Sequence, residues 1–134
     1  MSNIIFATEE IQVYVVGFDI ENMKPFAKIE KIPSENSPAQ TEKIHSILKC
    51  EGIDIVDYSN DIAIIVSDRG MFTDGLPLFE VICPDNTLLH LAGSMLFVKN
   101  KYTAESVDIG ELSEKEIQNL ILTLNIKVKG VVTG

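Results

Sequence analysis

The sequence predicts a single α+β domain over residues 1–134, built from a mostly antiparallel sheet of about six strands with two helices. Three observations lead there. Runs rich in Val, Ile, Phe and Tyr recur between polar turn clusters, as strands do. Only two segments combine a helix-starting cap with apolar residues three and four apart. Most strand-like runs follow one another directly instead of alternating with helices, the order expected of an antiparallel sheet.

Ile11 to Phe18, bounded by Glu9-Glu10 and Asp19, reads as a largely buried strand. Phe26 to Ile32 alternates imperfectly and reads as a half-exposed strand, and the turn residues from Pro33 to Pro38 make a loop. Ser37-Pro38-Ala39-Gln40 then supplies an N-cap, a first-turn proline and a Gln three residues beyond the cap. The helix should run to about Cys50 on the stripe Ile44, Ile47 and Leu48, with Gly52 placed to end it.

Ile53 to Tyr58 and Ile62 to Ser67 form a hairpin through Ser59-Asn60-Asp61. The second run is apolar on both faces, which places it in the middle of the sheet. Asp68-Arg69-Gly70 and Thr73-Asp74-Gly75 are turns, and Leu78 to Cys83 and Leu88 to Val98 read as two further strands around Pro84-Asp85-Asn86. Ser113 with Glu116 is a capping box ahead of Ile117, Leu120, Ile121 and Leu124 at helical spacing. Ile126 to Val132 reads as an edge strand guarded by Lys127 and Lys129.

Composition narrows the function. Hydrophobic residues make up 46% of the chain and charged residues 23%, an ordinary globular balance. Twenty acidic side chains against eleven basic ones leave a net charge of -9, the wrong sign for direct nucleic-acid binding. The same sign suits either solubility or docking onto a host protein with a basic surface. The first residues, Met-Ser-Asn-Ile-Ile-Phe, lack the features of a secretion signal, and no apolar run nears the ~20 residues of a membrane helix. With two cysteines, too few for a disulfide framework, the expected location is the cytoplasm of a host cell, away from membranes.

Candidate chemistry is sparse, and no cofactor is expected. His45 with Cys50, and Cys83 with His90, match no zinc or thiol-nucleophile spacing, so no metal or catalytic residue is assigned. Asp19 with Glu21, and Asp54 with Asp57, are the acidic pairs that a metal-dependent nuclease or hydrolase would use, but Asp54 and Asp57 fall on opposite faces of a regular strand. Gly70 and Gly75 bracket no phosphate-binding motif. Arg69 is the chain's only arginine, set between Asp68 and Gly70 with Met71 and Phe72 following. Such a residue either anchors a partner or a nucleotide phosphate, or simply pairs with Asp68 in a turn. The candidate partner- or ligand-binding set is therefore Asp68, Arg69, Phe72, Asp74, Asp54 and Asp57.

From Thr41 onward the chain reads I-H-S-I-L-K-C-E-G, I-D-I-V-D-Y, D-I-A-I-I-V-S-D-R-G and D-G-L-P-L-F, then A-G-S-M-L-F-V and S-E-K-E-I-Q-N-L. This succession resembles a small domain-of-unknown-function family carried by phages, plasmids and conjugative elements of Gram-positive bacteria. The resemblance implies an accessory protein of a mobile element. It departs from the family's pattern at Ile44-His45, Glu51-Gly52 and Phe79-Glu80. Together with the charge, it leads to the expectation of a non-enzymatic inhibitor that binds a bacterial defence protein through an acidic surface. The alternatives are an oligomeric sponge for a nucleotide immune signal, with pockets between the copies of a homo-oligomer, and an unfamiliar metal-dependent nuclease or hydrolase.

Overall fold

The computed structural model describes residues 9–133, and the Met1 to Phe6 stretch read above for a secretion signal lies outside them. Nine strands, two helices and a 3-10 turn follow one another. They are β1 (Glu10–Asp19), β2 (Lys24–Pro33), α1 (Pro38–Leu48), β3 (Ile53–Asp57) and β4 (Ile62–Ser67), the 3-10 turn Gly70–Phe72, then β5 (Pro77–Ile82), β6 (Leu88–Ala92), β7 (Met95–Tyr102), β8 (Val107–Gly110), α2 (Glu114–Thr123) and β9 (Asn125–Val131).

Every strand pairing is antiparallel. A six-stranded sheet runs β2-β1-β7-β4-β3, with β8 also joined to β7, and a three-stranded sheet runs β6-β5-β9. The fold is thus α+β, dominated by antiparallel sheet. Because Lys99 pairs with both Ile62 of β4 and Gly110 of β8, β8 must occupy the β7 edge that β1 holds further back.

The large sheet is covered on both sides, and alternation in its inner strands divides the core in two. Val13, Val15, Ala63, Ile65, Leu96 and Val98 face α1, meeting Ile44 and Leu48. Tyr14, Ile62, Ile64, Val66, Met95 and Phe97 face the small sheet and α2, meeting Phe79, Val81, Ile117 and Leu120. Phe97 carries the second core's aromatic centre, edge-on to Tyr58 at 5.5 Å between ring centroids and tilted against Tyr14 at 6.4 Å.

Both cap readings hold. Ser37 accepts from the Gln40 amide at 3.3 Å, and Ser113 and Glu116 close their capping box reciprocally at 3.1 Å. Four expectations change. Helix α1 ends before Gly52, because Lys49 itself takes the left-handed conformation (φ 53°) and the Cys50 amide turns back to the His45 carbonyl. The 88–98 run is two strands in different sheets, broken at Gly93 (φ 83°) and Ser94. Strand β4 is buried on both faces, yet β7 is the central strand. Strand β8, absent from the sequence reading, pairs with the far half of β7.

Candidate functional site

Two features stand out among the described residues, an open cleft and a charged sheet edge. The cleft, of about 1200 Å³, is enclosed by the β1–β2 turn, the C-terminal end of α1 and the segment from Ser67 to Pro77, with Gly93 and Ser94 also lining it. Each wall is held locally. In the β1–β2 turn, the Asp19 carboxylate accepts from the Asn22 amide at 3.3 Å and from Asn22 Nδ2 at 2.7 Å, while Met23 takes a positive φ of 52°. Those bonds from Asn22 hold the Asp19 carboxyl below its ordinary range. The Phe26 ring lies over Gly17, where an added Cβ would come within 2.4 Å of it.

The opposite wall follows from the β3–β4 register. Ile53 pairs with Ser67, so Gly52 and Asp68 are brought together, and the Asp68 amide donates to the Gly52 carbonyl at 3.1 Å. The Asp68 carboxylate occupies the space a Cβ on Gly52 would need, at 2.4 Å. The Arg69 backbone is pinned on both sides. Its amide donates to Ser67 Oγ at 3.2 Å, and its carbonyl accepts from Thr73 Oγ1 at 2.8 Å and from the Phe72 amide at 3.0 Å. Gly70 then packs so tightly on Ala92 that an added Cβ would lie 2.6 Å from the Ala92 carbonyl oxygen.

The cleft lining mixes Arg69, Lys28 and Lys49 with Asp19, Glu21, Glu51 and Asp68, over an apolar surface that includes Phe18, Ile20 and Phe26. Ion pairs among the described residues join Lys28 to Glu30, Lys99 to Glu116 and Lys129 to Glu80, leaving the exposed Arg69 guanidinium outside any pair. The turn arginine is therefore not neutralised by Asp68.

Cys50 also lines the cleft, and desolvation pushes its thiol up, reinforced by Asp68 and opposed by a hydrogen bond with Ser67. Burial, helped by Asp85, does the same to Cys83. Both are thus thiols at neutral pH, poorly suited to nucleophilic attack. Among the described residues no three His, Cys, Asp or Glu side chains gather as metal ligands.

The second feature is the outer strand β3. Between Lys49 and Arg69 the chain contains no basic residue, while Glu51, Asp54, Asp57, Asp61 and Asp68 are all exposed. Asp54 pairs across from Val66, on the face toward the small sheet, and Asp57 from Ala63, on the face toward α1. The strand thus carries a carboxylate on each side of its free edge, an arrangement that cannot chelate one ion but can present charge outward. At the far end of the sheet, β2 carries Lys24, Lys28 and Lys31 against a single Glu30.

The six residues singled out in the sequence divide accordingly. Asp68 and Arg69 line the cleft. Phe72, 84% exposed, and Asp74 lie on the same loop outside the lining, and Asp54 and Asp57 belong to the β3 edge. Sequence reasoning missed Lys28, Lys49 and Glu51 as part of the cleft. The hairpin register was a usable signal for Glu51, since pairing Ile53 with Ser67 sets Gly52 across from Asp68 and, continued one step, Glu51 toward Arg69. Compared with protein-family models, with curated proteins and with solved structures, the chain matches none.

Proposed function

We propose that this chain is a non-enzymatic inhibitor from a phage or mobile element, acting in the host cell by binding a defence protein that has a basic surface. The observation that supports this reading is the segregation of charge on the large sheet: five exposed carboxylates from Glu51 to Asp68 with no intervening cation, two of them, Asp54 and Asp57, on the terminal strand β3, whose outer backbone edge has no partner strand among the described residues. Such an edge attracts a basic surface over roughly a Debye length, ~8 Å at physiological salt, and offers main-chain hydrogen bonds on contact. The sequence resemblance to a family of mobile-element proteins supplies the context.

The test is affinity capture from cells that carry diverse defence systems. The wild-type chain should retain a defence component, and the D54K/D57K variant should lose it while keeping its melting temperature. Retention by that variant, or capture of no defence component at all, overturns the reading.

The unpaired Arg69, in a cleft that Phe26 and the Ser67, Thr73 and Ser94 residues also line, favours a second reading, in which the cleft holds a nucleotide immune signal. A guanidinium can bind a phosphate bidentately, and an aromatic wall can stack a base. Calorimetry against cyclic nucleotides and ADP-ribose derivatives should show binding that R69A abolishes. No heat across the panel removes this reading.

A further inference from the structure

The large sheet ends in two strands of opposite charge, and each has an edge without a partner strand among the described residues. Strand β2 is exposed throughout Lys24–Ile29, and no residue of β3 is buried. Lysines along one edge and carboxylates along the other each oppose pairing with a like edge, the usual protection of a terminal strand. Neither opposes pairing with the other.

We propose that copies of this chain associate head to tail, β2 of one copy adding antiparallel to β3 of the next and continuing the six-stranded sheet. The side-chain pattern selects a register. Within one molecule, Lys28 and Glu30 lie on the α1 face, opposite Val15 and Val13, while Ala27, Ile29 and Lys31 lie on the other. On β3, Ile53, Ile55 and Asp57 lie on the α1 face and Asp54 and Val56 on the other. Antiparallel addition at a heterologous edge turns the second copy over, so unlike faces meet.

Setting Lys28 against Asp54 then sets Lys31 against Glu51, Ile29 against Ile53 and Ala27 against Ile55, with Glu30 opposite the uncharged Gly52. In this register both charged pairs are of opposite sign. Ile29 and Ile55, left 51% and 60% exposed on the isolated copy, each gain an apolar neighbour. Lys28 already touches Glu30 at 3.1 Å on an exposed edge, and such a pair can be shared with a new carboxylate at little cost. A heterologous contact of this kind grows into rings or open chains, not closed two-fold dimers. It also covers the acidic edge, so an assembled copy has no free β3 to offer a basic partner.

The experiment is sedimentation velocity of the full chain alone over a concentration series, which needs no partner and so stands or falls separately from the inhibitor reading. Species larger than dimers should appear with rising concentration at low salt and dissociate as salt is added. K28E/K31E should weaken the association about tenfold or more, E51K/D54K should do the same, and combining all four changes in one chain should restore it. Circular dichroism confirms that each variant is folded. A wild-type chain that stays monomeric at low salt overturns the proposal. So does association that stops at dimers, that persists in K28E/K31E, or that the four-fold charge swap fails to restore.

Discussion

Phe97 bears much of the packing in one residue. It is fully buried, touches two tyrosine rings and sits on the central strand, so Phe97→Ala should cost about 3–5 kcal/mol. Urea denaturation would show this as a lower midpoint with an unchanged slope. Lys99 and Glu116 make a different kind of contribution, joining β7 to the first turn of α2 through a 2.6 Å contact. Burial pulls the Glu116 carboxyl upward, but hydrogen bonds from Lys99 and Ser113 outweigh it and leave the value lowered. The bond to Glu116 raises Lys99 against a smaller desolvation effect.

A lowered carboxyl stabilises the fold above its unfolded value, and that stabilisation is lost as pH falls through the folded value. A raised lysine stabilises below its unfolded value, and loses that contribution as pH rises through the folded one. The pair should therefore be intact across the neutral range. E116Q should melt below wild type at pH 7, and the gap should close on acidification, as thermal scans at several pH values would show. The cap partners in this arrangement were legible from the Ser113–Glu116 spacing. The lysine was not, because nothing in the local sequence of β7 says which helix crosses above it.

Elements were legible where periodicity and punctuation agreed. The β1–β2 and β3–β4 hairpins, the loop before α1 and both helix starts follow from turn residues and caps. Periodicity failed at 88–98, where both segments are rich in apolar residues and alternation cannot mark a change of sheet. Only Gly93 signalled the break, and a lone glycine in a strand-like run signals a bulge equally well. Strand β8 is four residues long and owes its existence to β7 parting from β1 beyond Phe97, a tertiary circumstance. The cleft was illegible as a whole for the same reason, since its walls come from three segments joined only by the sheet.

The contact between the Gly70 turn and β6 tests that construction. Gly70→Ala would drive a methyl into the Ala92 carbonyl, and the resulting backbone shift should cost about 1–3 kcal/mol. Hydrogen exchange should then quicken in the Ser67–Pro77 segment before it does in β7.

At the scale of the molecule, charge and sheet order set the behaviour. A net charge of -9 opposes compaction through self-repulsion. In solutions dilute enough to keep copies apart, the melting temperature should therefore rise as sodium chloride is increased toward physiological strength, which differential scanning fluorimetry would register.

The pairing of β1 with β7 has a consequence for the chain while it is being made. Val16 meets Met95, and among the described residues no nearer segment pairs with that edge of β1. At synthesis rates of about 5–20 residues per second, the first hairpin must wait several seconds for its inner neighbour. Through that interval, Tyr14, Val15 and Val16 present an open strand edge to every other nascent chain nearby. The hazard to the newborn protein thus lies in β1, the strand that ends up among the best protected.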